Sequence, residues 1–262
     1  MEKTVYDKPL RLLTINTHKG FSSLNKRFTL HRLRDAIRST GADIVFLQEV
    51  IGENVEKAKK HDDWPDFPHY RFLAESIWSN YAYGKNSHYP EGHHGNALLS
   101  KYPIVHSEKI DISTNRFEQR GFLHCVLDIP RYPHHVHCIC VHLGLTARSR
   151  KKQTNMIKTY TAEKIGNGAP LIIAGDFNDW RGKINGDFSK SLHLNEVVVE
   201  TRGKAARTFP AWMPLIRLDR IYLREFTPVS SEIHNKGIWS RLSDHAALFT
   251  EVIPSHIAIP EQ

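Results

Sequence analysis

No stretch of this chain is apolar for long. Nothing in its 262 residues approaches the roughly 18 consecutive apolar residues that cross a bilayer, and the opening MEKTVYDKPLRLLTIN lacks the apolar centre of a secretory signal. Neither membrane insertion nor export by a cleaved leader is therefore expected. Cysteine is scarce too: there are three, an odd number, which rules out a disulfide framework that pairs every thiol. Cys138 and Cys140 stand two apart in a strand-like run, so both should point to one buried face as free thiols. A reducing, cytoplasmic setting is the expectation. No repeat, low-complexity tract or linker divides the sequence, and a single domain spanning residues 1–262 is expected, with its core over about 10–252. Nothing calls for a second subunit, so a monomer is expected.

Positive charge and histidine are plentiful. Lys and Arg exceed Asp and Glu to give a formal net charge of +8, a field that draws in anions such as phosphate esters. Of the 17 histidines, those at 93–94 and 134–137 lack partners at zinc-site spacing and read as surface or packing residues.

Short aliphatic and β-branched runs recur at residues 10–15, 44–47, 97–99, 122–127, 136–141, 171–174, 221–223 and 246–252, each bounded by turn signals, as buried strands are. Between the first two, Leu30, Leu33 and Ile37 recur at helical spacing over 28–39, and Gly41 is placed to end that helix. A second helix is expected over 147–165, covering a sheet face. The stretches 79–95 and 178–214 read as long loops, where substrate contacts commonly sit. Two packed sheets with helices outside follow from this order.

Polar residues stand at the ends of these runs. Asn16 ends LLTIN, Glu49 ends IVFLQEV, His142 follows the 136–141 run, Asp176 and Asn178 follow LIIAG, Asp219 opens LDRIY, and Asp244 with His245 precedes the last strand. Each alone is an ordinary turn or strand-end residue. Together they supply what phosphoester hydrolysis needs: carboxylates for a hard cation, a base for water, and neutral donors for phosphoryl oxygens.

The motifs LTINTH, LQEV, HHGNALLS, VHLGL, AGDFN, RLDRIY and SDHAAL, in that order over residues 10–252, resemble those of the endonuclease/exonuclease/phosphatase family, the deoxyribonuclease I-like superfamily. The likeness is greatest to small bacterial members of unsettled substrate. It implies an α/β fold, a four-layer sandwich of two packed mixed β-sheets flanked by helices. It also implies hydrolysis of phosphate esters with Mg²⁺ or Mn²⁺. On that resemblance Glu49 holds the metal, with Asn16 and Asp244 near the ion or its waters. Asp176 positions or deprotonates the attacking water, and Asn178 donates its amide to a phosphoryl oxygen. His245 contacts the phosphate with Asp219 fixing its tautomer, and His142 serves the leaving oxygen. Glu75, in FLAES, falls where some relatives orient that second histidine. Asn96, Arg120 and Arg148 are candidate substrate contacts. His142 stands where abasic-site endonucleases carry tyrosine, which turns the reading away from base-excision repair. A phosphodiester of nucleic acid or of a phospholipid headgroup is the expected substrate, and the exposed-looking Trp212 and Met213 suit either. The alternatives are a phosphomonoesterase acting on a phosphoinositide or sugar phosphate, and an inactive nucleic-acid or lipid binding protein that keeps the fold.

Overall fold

The first apolar run is buried on both faces, and that dictates a layer on each side of it. The computed structural model of the chain describes residues 8–130, 132 and 134–255. In β1 (Leu10–Asn16), Leu10 and Leu12 enter one core while Leu13 and Ile15 enter another, following the two-residue period of a strand. Helix α1 (Leu30–Thr40) covers the second face with Leu30, Leu33 and Ile37, and ends on Gly41 at a φ of 64°. The chain then returns as β2 (Ile44–Asn54), parallel to β1. Short α2 (Val55–Ala58) and α3 (His69–Ile77) lead to the hairpin of β3 (Asn80–Tyr89) and β4 (Gly92–Ser100).

The second sheet repeats the plan. β5 (Ile104–Asp111), β6 (Gly121–Leu127) and β7 (Val136–His142) run antiparallel, and α4 (Ala147–Lys164) carries the chain to β8 (Leu171–Asp176), parallel to β7. After α5 (Asn185–Leu192), β9 (Asn195–Glu196) and α6 (Val197–Arg202), β10 (Asp219–Arg224) pairs antiparallel with β8. β11 (Phe226–His234) and β12 (Ala247–Pro254) return to the first sheet. The strand orders are β11-β12-β1-β2-β4-β3 and β5-β6-β7-β8-β10-β9.

Three cores bind four layers. Leu12, Phe46 and Leu98 of the first sheet meet Cys125, Cys138, Cys140 and Ile172 of the second, and all three thiols are free and buried. Leu33, Ile37 and Leu73 of α1 and α3 cover the first sheet outside, and Ile157 and Phe188 of α4 and α5 cover the second. The architecture is two mixed six-stranded sheets flanked by helices.

Two expected loops are ordered elements. Residues 79–95 form most of the β3–β4 hairpin, whose edge strand buries Ala82 and Gly84 but turns Tyr81 and Lys85 outward, so it carries no continuous apolar signal. Residues 178–214 contain α5, β9 and α6.

The parallel pairs position the site. Both sit at sheet centres, and their carboxyl ends reach one edge of the sandwich. β10 and β12, antiparallel to β8 and β1, begin at that same edge. Polar residues at these ends are forced together, as in other open α/β sheets.

Candidate active site

The side-chain amide of Asn16, at the end of β1, crosses the seam between the sheets. Its Nδ2 donates to Asp176 Oδ2 at 3.2 Å and to Glu49 Oε1 at 3.4 Å, joining the ends of β1, β2 and β8. Asp176 Oδ2 also lies 3.6 Å from His142 Nε2 and 3.8 Å from His245 Nε2. The other ring nitrogen of His245, Nδ1, donates to Asp219 Oδ2 at 2.8 Å. Asp219 and Asp176 are register partners on β10 and β8, which places both carboxylates beside one imidazole. The strand ends are locked from behind: Ser243 Oγ donates to Asn16 O at 2.6 Å and accepts from the His245 backbone N–H at 3.2 Å. The Asn178 backbone N–H donates to Asp176 Oδ1 at 2.9 Å.

The backbone is bent to deliver these groups. Glu49 occupies a bulge where the β2–β4 register shifts between Leu47 and Val50, at a φ of 54°. A left-handed glutamate costs about 1–2 kcal/mol, and such positions cluster where function requires a side chain to be re-aimed. In the AGDFN turn, Gly175 has a φ of 145°, and a Cβ there would lie 2.0 Å from Val141 O, so only glycine lets β8 approach β7 beside Asp176.

Electrostatics divides the cluster in two. Burial works against a charged His245, but Asp219, Asp176 and Asp244 outweigh it and push the imidazole up to about 10, so it is a cation at neutral pH. Burial raises the Asp176 carboxyl to about 6, with His245 opposing and Asp219 adding to the rise. Across Asn16, burial would raise Glu49, yet the surrounding His142, Lys19, His94 and His18 hold it at about 2. Lys19 Nζ is 3.5 Å from Glu49 Oε2. His142 is held well below its ordinary value by burial and then by Arg120, and is neutral.

The structure thus gathers Asn16, Glu49, His142, Asp176, Asp219 and His245, and it adds Asp244 through His18, whose Nε2 is 3.7 Å from Asp244 Oδ2. Other expected residues are differently employed. The Asn178 side chain donates to Leu143 O at 2.9 Å, so it braces the turn that holds Asp176. Asn96 is fully buried, and its Nδ2 donates to Gly121 O and Cys140 O, a tie between the sheets where a substrate contact was expected. Arg120 lines a small cavity with Glu49, His94, Asn96 and His142 while its guanidinium pairs with Glu118 at 3.2 Å. Arg148 is exposed in the first turn of α4, in a separate hollow with Thr114 and Lys152. Glu75 does not orient His142: it lies on the open face of α3, ion-paired with Arg71 at 2.8 Å, because FLAES is helical and points the glutamate to solvent. Asp176 takes the place beside His142 that was expected of Glu75.

Three residues went unrecognised in the sequence. His18 and Lys19 directly follow the Asn16 strand, a proximity that could have been read. His94 reads from the sequence as a surface or packing residue, but β4 pairs it with Ile51 two residues past Glu49, and burial followed by Lys19 lowers it to about 4. Only the pairing of two distant strands reveals that neighbour.

A hard divalent cation suits these donors. Glu49 offers an ionised carboxylate beside the Asn16 amide, and Asp219 Oδ1 is a buried acceptor without a hydrogen-bond partner among the described residues. Ligand atoms of Asp176, Asp219 and His245 also lie within 4.8 Å of one another, close enough for one ion. A doubly protonated His245 has no lone pair to give, so that trio accepts a cation only on losing the proton.

The model of the endonuclease/exonuclease/phosphatase family matches residues 13–245. An uncharacterized protein, YbhP, of Escherichia coli strain K12 is 46% identical over 242 residues, which cover 92% of this chain and 95% of that protein. Among solved structures, an endonuclease/exonuclease/phosphatase from Beutenbergia cavernae superposes with a TM-score of 0.76 at 18% identity, over 94% of this chain and 72% of the other. A mannosyl-6-phosphatase from Bacteroides thetaiotaomicron does so with a TM-score of 0.68 at 14% identity, over 93% and 99%. At these identities the two structures share its fold.

Proposed function

The chain belongs to the endonuclease/exonuclease/phosphatase family, and from that premise we propose that it is a divalent-metal-dependent hydrolase of phosphodiester bonds, in nucleic acid or in phospholipid headgroups. The observation that carries this reading is the Asn16 bridge, which sets an ionised Glu49 on one side and the Asp176–His245–Asp219 chain on the other.

Glu49, with Asn16 beside it and Asp244 joined through His18, would hold the ion, Mg²⁺ or Mn²⁺, which when bound offsets charge on the scissile phosphate. Asp219 keeps His245 protonated through Nδ1, leaving Nε2–H to hydrogen-bond a non-bridging phosphoryl oxygen. Asp176, with a carboxyl near 6, accepts a proton from the attacking water at neutral pH, and the Asn178 backbone N–H fixes its second oxygen. Neutral His142 supplies a hydrogen bond to the leaving oxygen. An inactive scaffold has no need of Glu49 or of the Asp244–His245 pair, and both are retained. A phosphomonoester could use the same groups, and product analysis separates the two substrates.

The test is hydrolysis of a soluble chromogenic diester with Mg²⁺ or Mn²⁺. Glu49→Ala and His245→Ala are each expected to lose about 10³-fold in kcat with the fold retained by circular dichroism. Undiminished turnover in either variant refutes the site.

A further inference from the structure

Six loops gather at the edge that carries the site, and each exposes a large apolar side chain. Leu24 follows β1, Phe117 joins β5 to β6, Leu145 follows β7, Trp180 follows β8, Trp212 precedes β10, and Ile238 joins β11 to β12. Phe117 is 85% exposed and Leu145 67%. Single exposed apolar residues are ordinary on protein surfaces; a ring of them around one group of polar residues is not. Two contacts tie the ring to itself and to the site. Leu145 N–H donates to Glu118 Oε1 at 2.9 Å, and Ala211 N–H, next to Trp212, donates to Asp244 O at 2.7 Å.

The ring is interleaved with cations. The Arg116 guanidinium lies 4.8 Å from the Phe117 ring centroid and that of Arg181 4.4 Å from the Trp180 ring, while Lys26, Arg207 and Arg241 are exposed in the same set of loops. Nearby acids are engaged, Glu118 with Arg120 and Asp179 with Arg220. The rim is therefore positive as well as apolar.

We infer that this rim docks on an anionic lipid surface, so that the substrate class is the headgroup phosphodiester of a membrane phospholipid; the substrate assignment rests on the hydrolase reading above. A nucleic acid would meet the same cations, but a duplex offers them charged phosphates and no apolar layer, and the bases of a single strand need π faces to stack on. Leu24, Leu145, Ile238 and the neighbouring Met213, Leu215 and Ile216 have none, and such aliphatic groups gain free energy by leaving water for the acyl boundary. Tryptophan settles at headgroup depth, and arginine and lysine stems lie along apolar surface with their charges at phosphate level. No helix among the described residues is long and apolar enough to cross a membrane, so the contact is interfacial.

The test is co-sedimentation with vesicles of phosphatidylcholine alone or mixed with phosphatidylglycerol. Wild type is expected to bind the anionic vesicles at least about tenfold more tightly, less so as salt rises. Glu49→Ala should bind equally well. Leu145→Ser/Trp212→Ser should lose about tenfold or more, as each buried apolar side chain contributes close to that factor. Phe117→Ser/Ile238→Ser, on two other loops, repeats the measurement should the first pair melt early. Absence of vesicle binding, equal binding to both vesicle types, or no loss in either folded double variant overturns the proposal. So does Trp212-dependent binding of single-stranded DNA in place of vesicles. Hydrolysis of the soluble diester is scored separately: its failure removes the hydrolase reading while the vesicle result still decides the docking surface.

Discussion

Replacing Gly175 by alanine adds one methyl group at the point where β8 passes closest to β7. That carbon would lie 2.0 Å from Val141 O, whereas a C···O approach shorter than about 3.3 Å is unfavourable. The strands must part by roughly 1 Å, loosening about two ladder hydrogen bonds at about 1 kcal/mol each. The φ of 145° is open to glycine alone and adds about 1–3 kcal/mol for alanine. Destabilisation of about 3–5 kcal/mol follows, a fall in Tm on the order of 10 °C for a chain of this size. The displaced pair adjoins His142 and Asp176, so kcat should fall about 10²-fold even where the protein is folded, as a misplacement of this size does to reacting groups. Scanning calorimetry and diester hydrolysis read the two effects. Gly186→Ala is the control, since its added carbon meets nothing within 4 Å among the described residues and its φ is not in the left-handed region. A Gly175→Ala protein that melts within about 2 °C of wild type and keeps full kcat would refute the close-approach argument.

Asp219→Asn removes the charge that most raises His245, so the imidazole titrates below its wild-type value of about 10 and kcat falls about 10²–10⁴-fold, followed by NMR of the ring and by kinetics. Asp179→Ala strands the buried guanidinium of Arg220, whose Nη2 also donates to Asp179 O at 2.8 Å, and should destabilise by about 3–5 kcal/mol in urea unfolding; a loss below about 1 kcal/mol contradicts a buried pair. His69 is buried and, through desolvation first, is lowered to about 3. Its folded value lies below its unfolded one, so the unfolded chain binds the proton more readily, and stability is full above about pH 6.5 and declines as pH falls toward 3. Urea melts at pH 7.5 and 5.0 should show a loss smaller by about 2 kcal/mol in His69→Gln than in wild type, the lowered His94, His124 and His142 titrating in both, and equal pH slopes in the two proteins would exclude the assignment.

What the sequence revealed and what it hid have a common physical source. The central strands are buried on both faces, so β1, β2, β7 and β8 are apolar runs, and the polar residue that ends each run marks the edge where the site forms. Edge strands must discourage pairing with other chains and carry polar residues instead. β5, IVHSEKID, is exposed along most of its length, and β11 carries Pro228, so neither announced itself as a strand. The same blindness turned β3 and the first residues of β4 into a loop and left His94 among surface histidines. Local helix geometry explains Glu75: an i, i+4 pair with Arg71 requires both side chains to stand on one exposed face. Asn96 was legible as important but not in its role, because only the packing of the two sheets shows that its amide spans them.

The bridge at Asn16 makes the site a logical conjunction. Glu49 and His245 arrive from one sheet and Asp176, Asp219 and His142 from the other, so neither sheet alone holds even the imidazole-carboxylate chain, let alone the ionised carboxylate beside it. Hinging the sandwich open by even a few ångströms separates the two inputs while leaving every strand intact. Turnover should therefore report whether the halves are closed on each other before any spectroscopic measure of secondary structure responds.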